Sequence, residues 1–214
     1  ILRSDVFIFF DDVQFPKKGG SWSNRVKFLI GSQSKWVTAS IERNYSGFRN
    51  INEMNFQEDN WRIKMLKTLK TNYSKNPFYA ETMEVVEPLI LNSEKNVAEY
   101  NINTVTTLSN ILGLDIAKFK RSSEYNERKH SNKLLCSLTK KVGGDIYMCG
   151  GGADGYQDET VFMKEEIKLV YQNFQNCTYP QYQKENFTSG LSIIDAAMNV
   201  GWTGVRVLLA NPKC

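Results

Sequence analysis

The chain opens with one strand pattern and one hairpin pattern. Residues 5–10 include a continuous apolar run rich in Val, Ile and Phe, which is typical of a strand buried on both faces in a parallel sheet. Residues 25–30 and 35–41 alternate better between apolar and polar positions, with Gly31 and Ser32 between them. This arrangement predicts a β-hairpin.

Helical periodicity replaces the strand patterns in the next part of the chain. Apolar residues at three- and four-residue spacing predict helices over residues 60–73, 79–92 and 97–112. Asn96 is suited to cap the third of these helices, and Gly113 is suited to end it.

The rest of the chain alternates between short apolar runs and helical patterns. Strands are predicted over residues 116–121, 145–149 and 167–174, and helices over residues 131–142, 162–166, 192–200 and 203–209. Short buried strands separated by helices predict an α/β fold. We expect a mostly parallel, short-strand sheet with flanking helices, a β-hairpin and a helical insertion at about residues 57–112. The length suits a single α/β domain over residues 1–214.

Composition and charge exclude several classes of protein. Hydrophobic residues make up 41% and charged residues 23% of the chain, which is ordinary for a globular domain and argues against disorder or a coiled coil. The 27 basic and 23 acidic residues leave a formal net charge of +4. This small excess predicts no nucleic-acid partner and fits a local pocket for a phosphate or carboxylate.

The sequence predicts a cytoplasmic protein that does not insert into a membrane. No run of about 18 apolar residues is seen, and Val6 to Phe10 is too short for a signal peptide. The four cysteines show no paired spacing, which favours a reducing compartment. The single histidine, His130, excludes a multi-histidine zinc site and argues against a Ser-His-Asp triad.

The first residues have the pattern of a helix end that leads into a strand. The chain begins at Ile1 rather than at a methionine. We therefore expect a segment upstream of this numbering, and with it a further part of the functional site.

Two acidic residues, Asp11 and Asp12, directly follow the first predicted strand. The carboxyl ends of strands face the ligand crevice in open α/β sheets. A carboxylate at that place is able to bind a metal, accept a proton or hold a sugar hydroxyl. The alternative is a solvated turn, in which aspartate is also common.

A second candidate is the glycine-containing loop that precedes the hairpin. Lys18, Asn24 and Arg25 provide many hydrogen-bond donors and few acceptors, which suits a phosphate or a carboxylate. The segment is not a Walker A sequence. The alternative is an exposed loop that aids solubility.

A third candidate is the run from Gly150 to Tyr156, which contains four glycines, Gly152 among them. Glycine lets the backbone approach a ligand closely and exposes its amides. The alternative is a tight turn, although four glycines exceed what one turn needs. The run does not match the G-x-G-x-x-G pattern of a dinucleotide fold.

Several segments taken together resemble the WbqC-like family, in the right order and over nearly the whole chain. They are residues 4–15 and 21–25, the helix 60–73 with residues 77–79, residues 131–134, Gly143, residues 147–156, residues 179–182 and residues 191–195. The chain departs from the family pattern in three places. The family's usual first strand and Gln-Pro segment are absent, Cys149 stands where serine is common, and the loop at Gly19 and Gly20 is longer.

The resemblance implies a bacterial cytoplasmic protein, often associated with O-antigen or capsule biosynthesis. It carries over these residues as site residues, without their individual roles: Asp11, Asp12, Asn24, Arg25, Gly150, Gly152 and Tyr156.

Three functional hypotheses follow from these residues and from the resemblance. The first is an enzyme that transfers an acyl or aminoacyl group to a nucleotide-linked amino sugar, with ATP or a divalent metal as the cofactor that it would use. Asp11 or Asp12 would then act on the metal or amine, and Lys18 and Arg25 would bind phosphates. The second is a metal-dependent glycosyltransferase, although the Asp pair lacks the Asp-x-Asp spacing. The third is a non-catalytic subunit of a polysaccharide assembly pathway. The sequence leaves the oligomeric state open.

Overall fold

The computed structural model of the protein describes residues 1–17, 21–58, 60–150 and 155–211. Lys18 and Gly152, both predicted site residues, lie outside the described residues. Within the described part, the fold is mixed α/β, as predicted, with short strands in small parallel sheets plus a hairpin.

The elements run as follows in chain order. The strands are β1 Phe7–Phe9, β2 Arg25–Ile30, β3 Gln33–Thr38, β4 Phe119–Arg121, β5 Ile146–Cys149 and β6 Lys168–Tyr171. The helices are α1 Trp61–Tyr73, α2 Tyr79–Leu91, α3 Val97–Ile111, α4 Ser131–Lys141, α5 Glu159–Lys164 and α6 Ile193–Ala210. Short 3₁₀ turns cover Ile51–Glu53 and Ser122–Tyr125.

Contacts divide the chain into two compact units. The first unit comprises Ile1–Asp12 and Ala117–Gln175, and the second comprises Val13–Ile116 and Asn176–Cys214. Each unit is therefore built from segments that are distant in sequence. A single domain over residues 1–214 stays a prediction.

The first unit contains the parallel strands. β1 pairs with β4, and β5 pairs with β6, each in a two-stranded sheet. A small core of Cys136, Phe162 and Ile167 joins α4 to α5 and the start of β6. The residues of β1 are only half-buried, whereas the apolar run predicted burial on both faces. β1 is a three-residue strand that pairs with β4 alone among the described strands. It therefore lacks the second neighbouring strand that a central strand of a parallel sheet has.

The second unit combines the hairpin with four helices. The hairpin β2–β3 turns at Gly31 and Ser32, both of which have positive φ angles, as a tight two-residue turn requires. Phe28 of the hairpin packs with α1, α2 and α6 in the larger core. The predicted insertion is present as α1, α2 and α3, and Asn96 caps α3 by accepting from the backbone N–H groups of Ala98 and Glu99.

The predicted bounds of some elements were wrong by a few residues. β3 begins at Gln33 and ends at Thr38, α5 begins at Glu159, and β6 ends at Tyr171. α5 starts earlier because Asp158 accepts from the backbone N–H of Thr160 and caps it. The two helices predicted after residue 191 are both present: α6 consists of two helical segments that meet at Gly201, whose φ of +68° and ψ of 171° are not helical.

Helix α6 contradicts the expectation that no segment of the chain is long and apolar enough to cross a membrane. Its 18 residues have a mean hydropathy of 1.3, so by length and composition alone it is able to cross a membrane. The helix contributes Ala197, Met198 and Trp202 to the larger core. It also carries the buried polar residues Asp195 and Asn199, which bind groups of the second unit. These contacts indicate that α6 is a core helix of the second unit.

Candidate functional site

The parallel pairing of β1 with β4 brings two polar segments together in the first unit. Phe9 aligns with Arg121, so the residues that follow the two strands leave the same edge of this small sheet. Asp11 and Asp12 follow β1, and Ser122 and Ser123 follow β4. This is the strand-end position at which α/β proteins place ligands.

Asp11 is held firmly by the two serines. One carboxylate oxygen accepts from Ser122 Oγ at 3.1 Å and from the backbone N–H of Ser123 at 3.0 Å, and the other accepts from Ser123 Oγ at 2.6 Å. Asp11 is only 4% exposed. Because both of its oxygens are bound inside the protein, Asp11 is suited to fix the shape of this edge.

Asp12 is the more accessible carboxylate of the pair. It is half-buried, and its Oδ1 contacts the hydroxyl of Ser122. A serine hydroxyl has one hydrogen to donate, and Ser122 faces both Asp11 and Asp12. Asp12 therefore shares a donor with its neighbour and is the carboxylate better placed to meet a substrate. The described residues contain no group of three or more His, Cys, Asp or Glu side chains that could hold a metal ion.

The second unit contains a cleft of about 360 Å³ beside the open end of the hairpin. Its lining residues are Asn24, Arg25, Thr38, Ala39, Ser40, Ile41 and Arg43. Among the described residues, the lining includes two arginines and two hydroxyl groups and no acidic side chain. This composition suits an anion.

Asn24 shapes this cleft rather than leaving its amide free. Its Nδ2 donates to the carbonyl of Ala39 at 3.0 Å, and its Oδ1 accepts from the backbone N–H of Ser21 at 3.0 Å. The backbone N–H of Asn24 donates to the carbonyl of Ser21, and the backbone N–H of Ala39 donates to the carbonyl of Asn24. These bonds also tie the turn to the hairpin. Asn24 thus positions the residue that follows it, Arg25.

Arg25 is stacked on an aromatic ring and retains an unused donor. Its guanidinium carbon lies 4.2 Å from the centre of the Trp36 ring, and Lys27 lies over the same ring at 4.9 Å. The Nε of Arg25 is buried, and no hydrogen-bond partner for it is found among the described residues. A buried donor without a partner costs free energy, and an acceptor that reached this nitrogen would recover that cost.

The other arginine of the cleft is anchored to the preceding loop. Nη1 of Arg43 donates to the carbonyl of Lys17 at 2.6 Å and lies 3.4 Å from that of Pro16. These contacts hold its positive charge near the cleft. Trp22 is 80% exposed and contacts Trp36 edge-on at 5.1 Å between ring centres, so it offers an aromatic surface nearby.

The glycine-rich segment is the third predicted site, and the structure describes only its two ends. Gly150 follows β5, and a Cβ added there would meet no atom of the described residues within 4 Å. Gly155 has a φ of +84°, and Tyr156 is 82% exposed. The positive φ at Gly155 fits a turn that glycine favours. The role of this segment in a site stays a prediction.

The structure therefore groups the predicted residues into separate sets. It brings Asp11 and Asp12 together, and Asn24 with Arg25, whereas Gly150 and Tyr156 follow a different sheet of the first unit. Asp12 and Arg25 belong to different units, so their joint action stays a prediction.

The serines and most of the cleft lining were not predicted from the sequence. Ser122 and Ser123 carried a signal, because they follow the predicted strand that ends at Arg121. No sequence signal separated Thr38, Ser40 and Arg43 from other polar residues. They lie at the cleft because of the hairpin register and the 2.8 Å backbone hydrogen bond from Ala39 to Asn24.

Comparison with known proteins agrees with the resemblance noted in the sequence. The chain belongs to the WbqC-like protein family, whose sequence model matches residues 1–207. It is 24% identical over 200 residues to the protein named Uncharacterized protein Rv1507c of Mycobacterium tuberculosis (strain ATCC 25618 / H37Rv), and the match covers 92% of this chain and 84% of the relative. No solved structure matches this chain.

Proposed function

We propose that this WbqC-like protein is an enzyme of bacterial surface polysaccharide biosynthesis, which transfers an acyl or aminoacyl group to a nucleotide-linked amino sugar. The observation that carries the proposal is the cleft at Arg25, which has two arginines, no acidic lining residue and a buried guanidinium donor without a hydrogen-bond partner among the described residues. A nucleotide-linked sugar carries the phosphate oxygens that arginine side chains bind.

The surroundings of the cleft fit the other parts of such a substrate. Guanidinium groups bind phosphate oxygens through paired N–H donors. The exposed ring of Trp22 beside Trp36 is suited to stack on a nucleobase, because every base presents a flat π-face. Independently of this cleft, Asp12 of the first unit is proposed as a carboxylate able to accept a proton from an amine.

We also propose how the acyl group is activated. Amide formation from a free acid requires activation: ATP with a divalent metal would convert the carboxylate to an acyl phosphate or acyl adenylate, and phosphate or AMP would leave when the amine attacks. A cytoplasmic location is also proposed from the unpaired spacing of the four cysteines in the sequence, although Cys177 is disulfide-bonded in the structure.

Calorimetric titration with a nucleoside diphosphate and with a nucleotide-linked amino sugar tests the binding step. We expect Arg25→Lys to weaken both affinities about tenfold or more, because lysine lacks the planar fork of donors. Lys27→Arg is the matched control, since Lys27 lies over the same Trp36 ring but does not line the cleft. Equal affinity in Arg25→Lys and the native protein would remove this cleft from the proposal.

Mass spectrometry tests the reaction itself. The protein is incubated with a nucleotide-linked amino sugar and an amino acid or short carboxylic acid, with and without ATP and Mg²⁺. The proposal expects a product whose mass has increased by one acyl group. Release of free nucleoside diphosphate would instead favour the metal-dependent glycosyltransferase, and the absence of binding and turnover with the whole panel would favour the non-catalytic subunit.

A further inference from the structure

An apolar cavity of about 130 Å³ lies inside the second unit, between the hairpin and the helices. Its walls include the rings of Phe28, Phe56, Trp61 and Tyr100. Protein interiors contain few voids larger than a water molecule. An apolar cavity of roughly 150 Å³ is large enough to hold benzene. This cavity is therefore large enough for a small apolar group.

The cavity adjoins the cleft that holds Arg25. Asn24, Arg25 and Ala39 line both spaces. Side chains alternate along a strand, so Arg25 and Phe28 fall on opposite faces of β2. The cleft and the cavity therefore flank the hairpin and meet at its open end, where Asn24 and Ala39 are hydrogen-bonded.

The same region gives the cavity one polar edge. Asn101 and Thr104 of α3 are lining residues, and Nδ2 of Asn101 donates to the carbonyl of Ser23 at 2.7 Å. Burial raises the pKa of Tyr100 to about 12, so its hydroxyl is neutral at physiological pH and adds no negative charge. A ligand that fills this space would have an apolar end among the rings and a polar or anionic end near Asn101 and Arg25.

We propose that the cavity binds the acyl group of a small carboxylic acid, with an apolar tail of about four to six carbons in the cavity and the carboxylate at the Arg25 end. This inference rests on the proposed function, because it names the acyl group that the enzyme would transfer. It concerns binding alone and requires no chemical step.

A chain-length series tests the proposal with the unmodified protein. The sodium salts of acetate, butanoate, hexanoate and decanoate are titrated by calorimetry or by NMR chemical shifts. Each added methylene is expected to tighten binding about fourfold until the cavity is full, and decanoate is expected to bind more weakly than hexanoate. Methyl hexanoate, which carries no charge, is expected to bind at least tenfold more weakly than hexanoate.

Cavity-filling variants locate the binding. Leu108 lines the cavity, so Leu108→Phe is expected to weaken hexanoate binding at least tenfold while leaving the melting temperature unchanged or raised. Leu89→Phe, from α2, serves if Leu108→Phe fails to fold. Leu114→Phe is the matched control, because Leu114 is a partly buried leucine outside the cavity lining.

Three results would overturn the inference: equal affinity across the acids, equal affinity of hexanoate and its methyl ester, or native hexanoate affinity in a folded cavity-filling variant. If nucleotide-linked sugars bind in an Arg25-dependent way while none of the acids binds, the inference fails and the proposed function stands. If the acids bind and no nucleotide-linked sugar does, the proposed function fails and the acid site stands.

Discussion

At the scale of single residues, the two neighbouring aspartates differ in how much of their hydrogen-bonding capacity is already used. Asp11 faces three donors on Ser122 and Ser123, of which it shares the Ser122 hydroxyl with Asp12, and it is almost fully buried. Asp12 is half-buried and contacts only the shared Ser122 hydroxyl among the hydrogen bonds described. Removing the side chain of Asp11 is therefore expected to have a different effect from removing that of Asp12.

Asp11→Ala is expected to destabilise the protein. The variant leaves the donors of Ser122 and Ser123 without their acceptor, and unsatisfied buried groups cost about 1–3 kcal/mol. Urea unfolding of the variant measures this loss. Asp5→Ala, at an exposed position before β1, is the control and should unfold like the native protein. Equal stability of the two variants would contradict a positioning role for Asp11.

Asp12→Asn is expected to leave the melting temperature unchanged or raised and to reduce turnover about 100-fold or more, the scale of losing a general base. Asparagine keeps the size of the side chain and most of its turn propensity while removing the charge. The measurement is the rate of amide formation in the assay described above. Full activity in the variant would exclude Asp12 from the site.

At the scale of secondary-structure elements, glycines end or kink helices where the chain must change direction. Gly113 follows α3 with a φ of +74°, and Gly201 breaks the helical geometry of α6 with a φ of +68°. The two differ in their surroundings. A Cβ at Gly113 would meet open space, whereas a Cβ at Gly201 would lie 2.8 Å from Cδ1 of Phe78.

Gly201→Ala is expected to destabilise the second unit more than Gly113→Ala does. Both substitutions place a Cβ on a residue with positive φ, and Gly201, with a ψ of 171°, lies in a region that is essentially restricted to glycine and costs other residues about 1–3 kcal/mol. Only Gly201→Ala adds a clash with a ring. Thermal unfolding of the two variants measures the difference. Equal losses of stability would show that the Phe78 ring moves aside without cost.

At the scale of the whole molecule, a buried polar network joins parts of the chain that are far apart in sequence. Asp195 of α6 accepts from the hydroxyls of Tyr73 and Tyr179, each at 2.7 Å, and Tyr73 in turn accepts from the backbone N–H of Leu29 at 2.8 Å. The helix 60–73 and the segments 179–182 and 191–195, all of which resemble the WbqC-like family, converge on Asp195. Their shared role in this network gives the resemblance a structural reason.

The network predicts a pH dependence of stability. Burial raises the pKa of Asp195 above its ordinary value of 3.8, and the hydrogen bonds from Tyr73, Tyr179 and Gln181 oppose that rise only in part. The stability contributed by the protonated form is therefore complete below pH 3.8 and is lost as the pH rises through the raised pKa. Each unit of pKa difference corresponds to about 1.4 kcal/mol.

Asp195→Asn removes the titrating carboxyl group. The free energy of unfolding of this variant should therefore fall less than that of the native protein as the pH rises above about 4. Urea unfolding between pH 4 and pH 8 measures the two slopes. Glu185→Gln, which alters an exposed carboxylate of the second unit, should keep the native slope. Parallel pH profiles for Asp195→Asn and the native protein would contradict the prediction.

The sequence by itself determined the elements with strong local signals. Periodicity placed α1, α2 and α3 within one residue of their observed ends, because a helical face repeats over several turns and Asn96 and Gly113 mark its limits. Gly31 and Ser32 likewise placed the hairpin turn. The candidate residues Asp11, Asp12 and Arg25 were found because charged groups directly after an apolar run or within a glycine-rich loop stand out locally.

Only the tertiary structure decided which of these residues meet. Strand pairing brings Ser122 to Asp11 across more than 100 residues of chain, and no local pattern encodes such a partner. The same holds for the cleft at Arg25, whose other arginine comes from the loop after the hairpin, and for the aromatic cavity beside it. Surfaces form from packing between distant segments, so the sequence offered candidate residues and the fold decided which of them lie together.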